Sequence, residues 1–270
     1  MLRHFLNPPN WFTAASIFCS TTAMALLMSH PELDHTTLSR ACILVVFGGI
    51  FDNLDGRVAR LTRRQSDFGV QLDSIADILG FGLTPAMIAW AWKLHTLGWG
   101  GIAVTFWYVV CAAFRLARFN VNVQSEVWPF PGHSQGLTST MSGGMLVTLM
   151  WVASGVLGDR LHVTPAVLSA VVVLLGYLMV SAVPFRTFKN ARQSRIARAL
   201  LVLGMASCVL GAIAFGDMAM FFGVGAVVYL SVGVIEGVGL AALHGRLSQA
   251  LLLTDDGAPD DDEERATAGR

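Results

Sequence analysis

Long apolar runs separated by short polar loops dominate this sequence and limit the folds open to it. Hydrophobic residues make up 54% of the chain and charged residues 13%, whereas soluble domains carry about 25% charged residues. About 20 consecutive apolar residues are enough for a helix to cross a bilayer. We therefore predict an all-α integral membrane protein with about eight transmembrane helices. The predicted segments are residues 11–29, 38–59, 68–92, 98–116, 137–157, 164–184, 197–215 and 217–243.

The basic residues are unevenly distributed between the loops. With the N-terminus in the cytoplasm and eight spans, fifteen of the 18 Lys and Arg residues lie on the cytoplasmic side, and only Arg40, Lys93 and Arg160 lie outside. This asymmetry follows the positive-inside rule. It favours an even number of spans with both termini in the cytoplasm. Six spans fit less well, because residues 197–243 would then need another location.

The C-terminal tail differs in composition from the rest of the chain. Seven of the 18 acidic residues lie between Asp255 and Glu264. A segment this charged buries too little apolar surface to pack into a core. We therefore expect residues 1–247 to form one transmembrane domain and residues 248–270 to form a disordered, acidic, cytoplasmic tail.

Four aspartates, Asp52, Asp55, Asp73 and Asp77, lie within apolar predicted helices. An unpaired carboxylate at the centre of a membrane helix costs at least about 2.5 kcal/mol, and four together repel one another. The spacings i,i+3 and i,i+4 place each pair on one helix face. In an antiparallel hairpin, residues equidistant from the turn lie at the same depth. The sequence therefore predicts Asp52 opposite Asp77 and Asp55 opposite Asp73, in a carboxylate box that needs a positive partner.

Oxygen ligands of this kind suit Mg²⁺ or Mn²⁺ better than Zn²⁺, and four carboxylates can bridge two ions. Gly56 follows Asp55 inside a helix, where glycine costs about 1 kcal/mol relative to alanine, and its small size lets a ligand approach the backbone. Arg60 lies one turn further and suits a phosphate through paired hydrogen bonds. The other interpretation of the acids is an ion path or proton relay in a membrane transporter.

These residues resemble the signature of the CDP-alcohol phosphotransferase family, D-x2-D-G-x2-A-R-x8-G-x3-D-x3-D. The resemblance implies a six-helix catalytic core, a homodimer in the membrane and two Mg²⁺ or Mn²⁺ ions that bind the CDP diphosphate. It implies that the four aspartates bind metal, that Asp77 is also the general base, and that the other matching positions line the nucleotide site. The matching positions are Asp52, Asp55, Gly56, Ala59, Arg60, Gly69, Asp73 and Asp77, and every gap agrees.

Further stretches are similar to the bacterial, membrane-embedded branch of this family that uses L-serine. They are residues 9–13, 65–77, 81–86, 115–120 and 184–189. This similarity implies transfer of the phosphatidyl group of CDP-diacylglycerol to the serine hydroxyl, with release of CMP, at the cytoplasmic face of a bacterial inner membrane. One segment departs from the branch, because residues 136–140 read Gly-Leu-Thr-Ser-Thr where Gly-Leu-Pro-x-Pro is usual.

A serine carboxylate needs a cationic partner, and several polar residues on the predicted cytoplasmic side are candidates. Arg118 is the first choice, because Asn120 adds a polar contact beside it in an apolar setting. Arg115, Arg186 and Lys189 are the others, whereas His133, Ser139 and Ser142 are interpreted as loop and helix-packing groups. Glycerol phosphate, inositol phosphate and choline remain alternative acceptors, of which the first two would need a richer basic pocket. We expect membrane lipids as partners and no nucleic acid.

Overall fold

A computed structural model describes residues 7–30, 33–62, 66–125, 133–155 and 162–186, with residues 219–220, 222–231, 233 and 239. This part of the chain is mostly helical. The helices are α1 (Pro8–Ser29), α2 (His35–Thr62), α3 (Asp67–Asp77), α4 (Thr84–Trp92), α5 (Trp99–Ser125), α6 (Ser139–Ser154), α7 (Pro165–Val180) and α8 (Phe222–Ser231).

Four helical segments are long and apolar enough to cross a membrane, namely Pro8–Ser29, His35–Thr62, Asp67–Trp92 and Trp99–Val121. Helices α7 and α8 are apolar but shorter. The first three segments correspond to the predictions at 11–29, 38–59 and 68–92. The prediction at 197–215 lies outside the described residues, as do parts of that at 217–243 and the acidic tail. The chain is a mostly helical membrane protein.

The sequence pattern misplaced several helix ends and missed two strands. The segment predicted at 98–116 continues to Ser125, and those predicted at 137–157 and 164–184 are the shorter helices α6 and α7. The all-α prediction is wrong in one detail, because β1 (His133–Gln135) pairs antiparallel with β2 (Pro184–Arg186). Helix α7 ends at Val180, where the N–H of Ser181 makes a last helical bond to the carbonyl of Tyr177 and Ser181 itself is extended. Three-residue strands are too short to show an alternating pattern.

Helix α1 packs along α2, and α5 packs along α7. The buried centre includes Leu38 on α2, Tyr108 on α5, Met150 on α6 and Met179 on α7. The outward faces carry exposed large hydrophobic side chains, as expected where helices meet lipid rather than water. The acidic helix faces described below therefore point into the bundle and not toward the bilayer.

The third membrane-crossing segment changes its helix type directly after α3. Residues Ile78–Leu83 form a π-helical segment, in which the backbone N–H of Thr84 bonds the carbonyl of Leu79. The Thr84 hydroxyl donates to the same carbonyl at 2.7 Å. A π-turn adds one residue to the helix, so side chains after it are rotated by about 100° from their α-helical positions. Helices α3 and α4 can therefore present differently directed faces to the bundle.

Candidate active site

The four intramembrane aspartates converge between α2 and α3. One carboxylate oxygen from each of Asp52, Asp55 and Asp73 lies within 4.8 Å of the other two. The Asp52 and Asp77 carboxyls are close enough to interact electrostatically. The structure thus brings together the two pairs that the hairpin spacing placed opposite one another. We call these four residues the carboxylate box.

The box fits a divalent cation in its donor chemistry. Asp55 is 6% exposed, and Oδ1 of Asp77 is buried with no hydrogen-bond partner among the described residues. A buried anionic oxygen without a partner is strongly unfavourable unless a cation or donor meets it. Several carboxylates around one point are the ligand set that Mg²⁺ and Mn²⁺ prefer. The donor chemistry of the box therefore suits a divalent cation.

Helix α1 contributes a polar contact to the box. The hydroxyl of Thr13 donates a hydrogen bond of 2.6 Å to Oδ2 of Asp55. Both groups are buried, so the bond fixes which oxygen of Asp55 stays available to a ligand. The sequence comparison of residues 9–13 gave Thr13 no role. A signal was present, because Asn10, Thr13, Ser16 and Ser20 place polar side chains on one face of α1, and all four are buried.

The four positions predicted to line a nucleotide flank the box. Gly56 and Ala59 continue along α2, and Arg60 is exposed near its end. A Cβ atom on Gly56 would lie 3.6 Å from Nη1 of Arg60, so the guanidinium folds back along the glycine. Gly69 lies in the first turn of α3, where its N–H donates to Oγ of Ser66 at 3.1 Å.

Arg115 on α5 brings a buried cation to the box. It is 8% exposed, and its charge interacts with that of Asp77. Its Nη1 donates to Oγ of Ser139 at 3.2 Å, and the guanidinium lies 5.2 Å from the ring centroid of Phe119. A desolvated guanidinium held in this way is well suited to bind an anionic group beside the carboxylates.

Arg118, one turn further along α5, has different partners. Its guanidinium donates to the backbone carbonyls of Val180 at 2.8 Å and of Gln135 at 2.9 Å. It also donates to those of Met179 at 3.0 Å and Ser181 at 3.3 Å. Arg118 therefore ties the end of α7 to β1. We expected this charge to meet a substrate carboxylate, and the structure instead directs it to backbone oxygens.

The remaining acceptor candidates lie apart from one another. The Asn120 amide donates to Oγ of Ser74 at 3.1 Å, which links α5 to α3 beside Asp73. Arg186 lies in β2 with its backbone opposite His133, and its side chain lies outside the described part of the structure. Of the described candidates, Arg115 is the one that the fold brings to the carboxylate box.

Comparisons with known proteins agree with this geometry. The sequence model of the CDP-alcohol phosphatidyltransferase family matches residues 6–180, which include the whole box. A CDP-diacylglycerol–serine O-phosphatidyltransferase from Helicobacter pylori strain 26695 is 36% identical over 196 residues, covering 69% of this chain and 76% of that protein. An enzyme of the same name from Bacillus subtilis is 33% identical over 183 residues, covering 67% and 91%.

A shorter match involves an enzyme of the same name from Saccharomyces cerevisiae, with 45% identity over 86 residues, or 32% of this chain and 30% of that protein. The family is one of transferases, which removes the reason for interpreting the acids as the ion path of a transporter. With its intramembrane carboxylates converging on one point inside the matched region, this chain belongs to the CDP-alcohol phosphatidyltransferase family of membrane enzymes.

Proposed function

We propose that the protein transfers the phosphatidyl group of CDP-diacylglycerol to the hydroxyl of L-serine and releases CMP. The carboxylate box within the family match is the observation that carries the transfer chemistry. The relatives from Helicobacter pylori and Bacillus subtilis, both named as serine O-phosphatidyltransferases, support serine as the acceptor.

We propose that two Mg²⁺ or Mn²⁺ ions bind to Asp52, Asp55, Asp73 and Asp77. Bound ions would neutralise the diphosphate and stabilise the departing CMP. The buried, unpartnered oxygen of Asp77 supports this assignment. The hydrogen bond from Thr13 would hold the Asp55 carboxylate in a ligating orientation.

Asp77 is the proposed general base. It accepts the proton of the serine hydroxyl as the serine oxygen attacks the lipid-side phosphorus. A new phosphorus–oxygen bond to serine forms, and the bond to the CMP phosphate oxygen breaks with its electron pair leaving on CMP. Arg60 would pair with the diphosphate, while Gly56, Ala59 and Gly69 would leave room for the nucleotide beside the helix backbones.

The Arg115 guanidinium is best supported as the partner of the serine carboxylate, because it is buried and its charge interacts with that of Asp77 in the box. We propose Arg118, Asn120 and Arg186 as further residues of the acceptor side. Arg118 and Asn120 would act indirectly, by holding the end of α7 and helix α3 at Ser74 in place.

A groove between α2, α6 and α8 supports a lipid substrate. Its volume is about 480 Å³, and its lining includes Asn53 and Arg57 next to the aspartates of α2, with apolar side chains such as Val46, Ile50 and Met145 beyond them. None of the four aspartates lines this groove, and its mainly apolar lining matches the acyl chains of a lipid that enters sideways from the bilayer.

The distribution of basic residues supports a defined orientation. We propose eight spans around a six-helix core, in a homodimer of the bacterial inner membrane, with the site and both termini facing the cytoplasm. Residues 1–247 would form the catalytic domain and residues 248–270 the acidic tail.

The decisive test measures CMP release from CDP-diacylglycerol by the purified protein in detergent micelles with Mn²⁺. The acceptors to compare are serine, glycerol 3-phosphate, inositol, inositol phosphate and choline. We expect serine to be used much faster than the others, and the Asp77→Asn variant to be inactive with all of them. If another alcohol is used much faster than serine, the acceptor proposed here is wrong although the transfer chemistry stands.

A further inference from the structure

Two hydroxyl groups are buried together beside Phe81, which follows Asp77 by four residues. Tyr108 on α5 and Ser142 on α6 are both 0% exposed. Their oxygens lie 3.0 Å apart, and the Tyr108 hydroxyl also lies 3.4 Å from the carbonyl oxygen of Phe81, to which it donates. Burying hydroxyl groups in an apolar bundle is unfavourable unless they serve as hydrogen-bond partners. The proposed reaction leaves this pair without a role.

Tyr108 supplies a side-chain donor to the carbonyl of Phe81. In an α-helix this carbonyl would accept a hydrogen bond from the N–H group four residues later. That residue is Pro85, which has no N–H. Phe81 lies in the π-helical segment Ile78–Leu83. The Tyr108 hydroxyl therefore donates to a carbonyl whose α-helical donor is missing, next to the change from π-helix to α-helix.

The π-helical segment is also closely packed by neighbouring helices. A Cβ atom added to Gly143 would lie 2.7 Å from the carbonyl oxygen of Phe81, so the backbone of α6 rests directly on this residue. A Cβ atom added to Gly82 would lie 3.2 Å from Cβ of Ala112 on α5. Asp77 is the residue immediately before this segment. The direction of the Asp77 side chain therefore depends on how the π-helical segment packs against α5 and α6.

We propose that Tyr108 is a positioning residue for the transfer reaction. By holding the carbonyl of Phe81, with Ser142 aligning its hydroxyl, it fixes the π-helical segment and hence the direction in which Asp77 meets the aspartates of α2. Tyr108 contacts neither metal nor substrate. The inference rests on the metal-binding and base roles proposed for the box.

The test compares Tyr108→Phe and Ser142→Ala with a matched control, Tyr177→Phe. Tyr177 lies on α7 and is 62% exposed. Mn²⁺ binding to each purified, substrate-free protein is measured by electron paramagnetic resonance, and kcat and KM are measured at saturating Mn²⁺. Since displacements well below 1 Å impair catalytic sites, we expect Tyr108→Phe to weaken Mn²⁺ binding and to lower kcat by about 10-fold each.

In the same experiment, KM for CDP-diacylglycerol should change by less than about twofold, because the residues proposed to bind the nucleotide are untouched. Ser142→Ala should show a smaller loss in the same direction, and Tyr177→Phe none. A Tyr108→Phe variant that is less heat-stable but has parental Mn²⁺ affinity and kcat would make Tyr108 purely structural and overturn the inference.

If Tyr108→Phe fails to fold, Ser142→Ala decides the question, and unchanged Mn²⁺ binding there overturns the inference. A parent protein that binds no Mn²⁺ would refute the metal site and this inference together. If the parent protein binds Mn²⁺ and all three variants have its Mn²⁺ affinity and kcat, the inference is refuted while the proposed metal site stands.

Discussion

Arg115 and Arg118 lie one turn apart on α5, but their side chains have different partners. Arg115 is buried beside the carboxylate box with Ser139 as its hydrogen-bond partner, and its charge interacts with that of Asp77. Arg118, one turn away, directs its guanidinium to backbone carbonyls at the end of α7 and in β1. Residue type and neighbourhood in the sequence are nearly the same. The difference arises because α7 ends beside Arg118 and offers it backbone carbonyls. The role of a charged residue near an active site therefore has to be assigned from the groups that it contacts.

The largest effects should come from the carboxylate box. Each aspartate-to-asparagine change removes a charged ligand and should lower kcat by at least about 100-fold, since even residues that only orient metal ligands cost 10- to 100-fold. The changes are Asp52→Asn, Asp55→Asn, Asp73→Asn and Asp77→Asn. EDTA should abolish CMP release, and added Mn²⁺ should restore it.

The control for this series is Asp67→Asn, because Asp67 is exposed in the first turn of α3 and lies outside the box. It should retain near-parental activity. Full CMP release in excess chelator would contradict the metal mechanism.

Arg115→Ala should show most clearly that Arg115 and Arg118 have different roles. Loss of a charge-assisted hydrogen bond costs about 1.5–3 kcal/mol, which corresponds to a rise in KM for serine of about 10- to 100-fold. KM for CDP-diacylglycerol should change much less. Steady-state kinetics with each substrate varied in turn measures both. An equal loss for both substrates would instead assign Arg115 to holding Asp77.

Thr13→Ala should have an intermediate effect. The hydroxyl holds one oxygen of Asp55 at 2.6 Å, and loss of such a supporting bond typically weakens metal binding by about 10-fold or more. Titration of activity with Mn²⁺ measures this, and Thr13→Ser should restore much of the affinity. The control is Thr21→Ala, since the Thr21 hydroxyl is exposed and bonds only its own helix among the described residues. If Thr13→Ala and Thr21→Ala require the same Mn²⁺ concentration for activity, Thr13 does not support the metal site.

Arg118→Ala should have the smallest effect on serine recognition and a clear effect on stability. Its removal leaves carbonyls at the end of α7 without a donor, at a cost of about 1–3 kcal/mol. We expect a lower Tm for the detergent-solubilised protein and a KM for serine within about threefold of the parent. A large, selective rise in the serine KM would show that Arg118 binds the acceptor after all.

The sequence was most informative where local geometry determines the arrangement. Asp52 and Asp77 could be placed opposite one another because helical spacing and a short turn define depth in a hairpin. The partners of Arg118 could not be predicted, because they are backbone oxygens at residues 135 and 179–181, whose position depends on where α7 stops. The π-helical segment was also missed, although Pro85 indicated a break in hydrogen bonding there.

Arg118 also has a consequence for how the chain enters the membrane. All of its described partners, at residues 135 and 179–181, are synthesised after it. It lies three residues before the end of the span Trp99–Val121, where a long cationic side chain can reach water. During synthesis the guanidinium must therefore stay hydrated at the membrane surface while α6 and α7 emerge. Arg118 can make these contacts only once α7 has inserted, which couples the packing of α5 against the end of α7 to a late step of biogenesis.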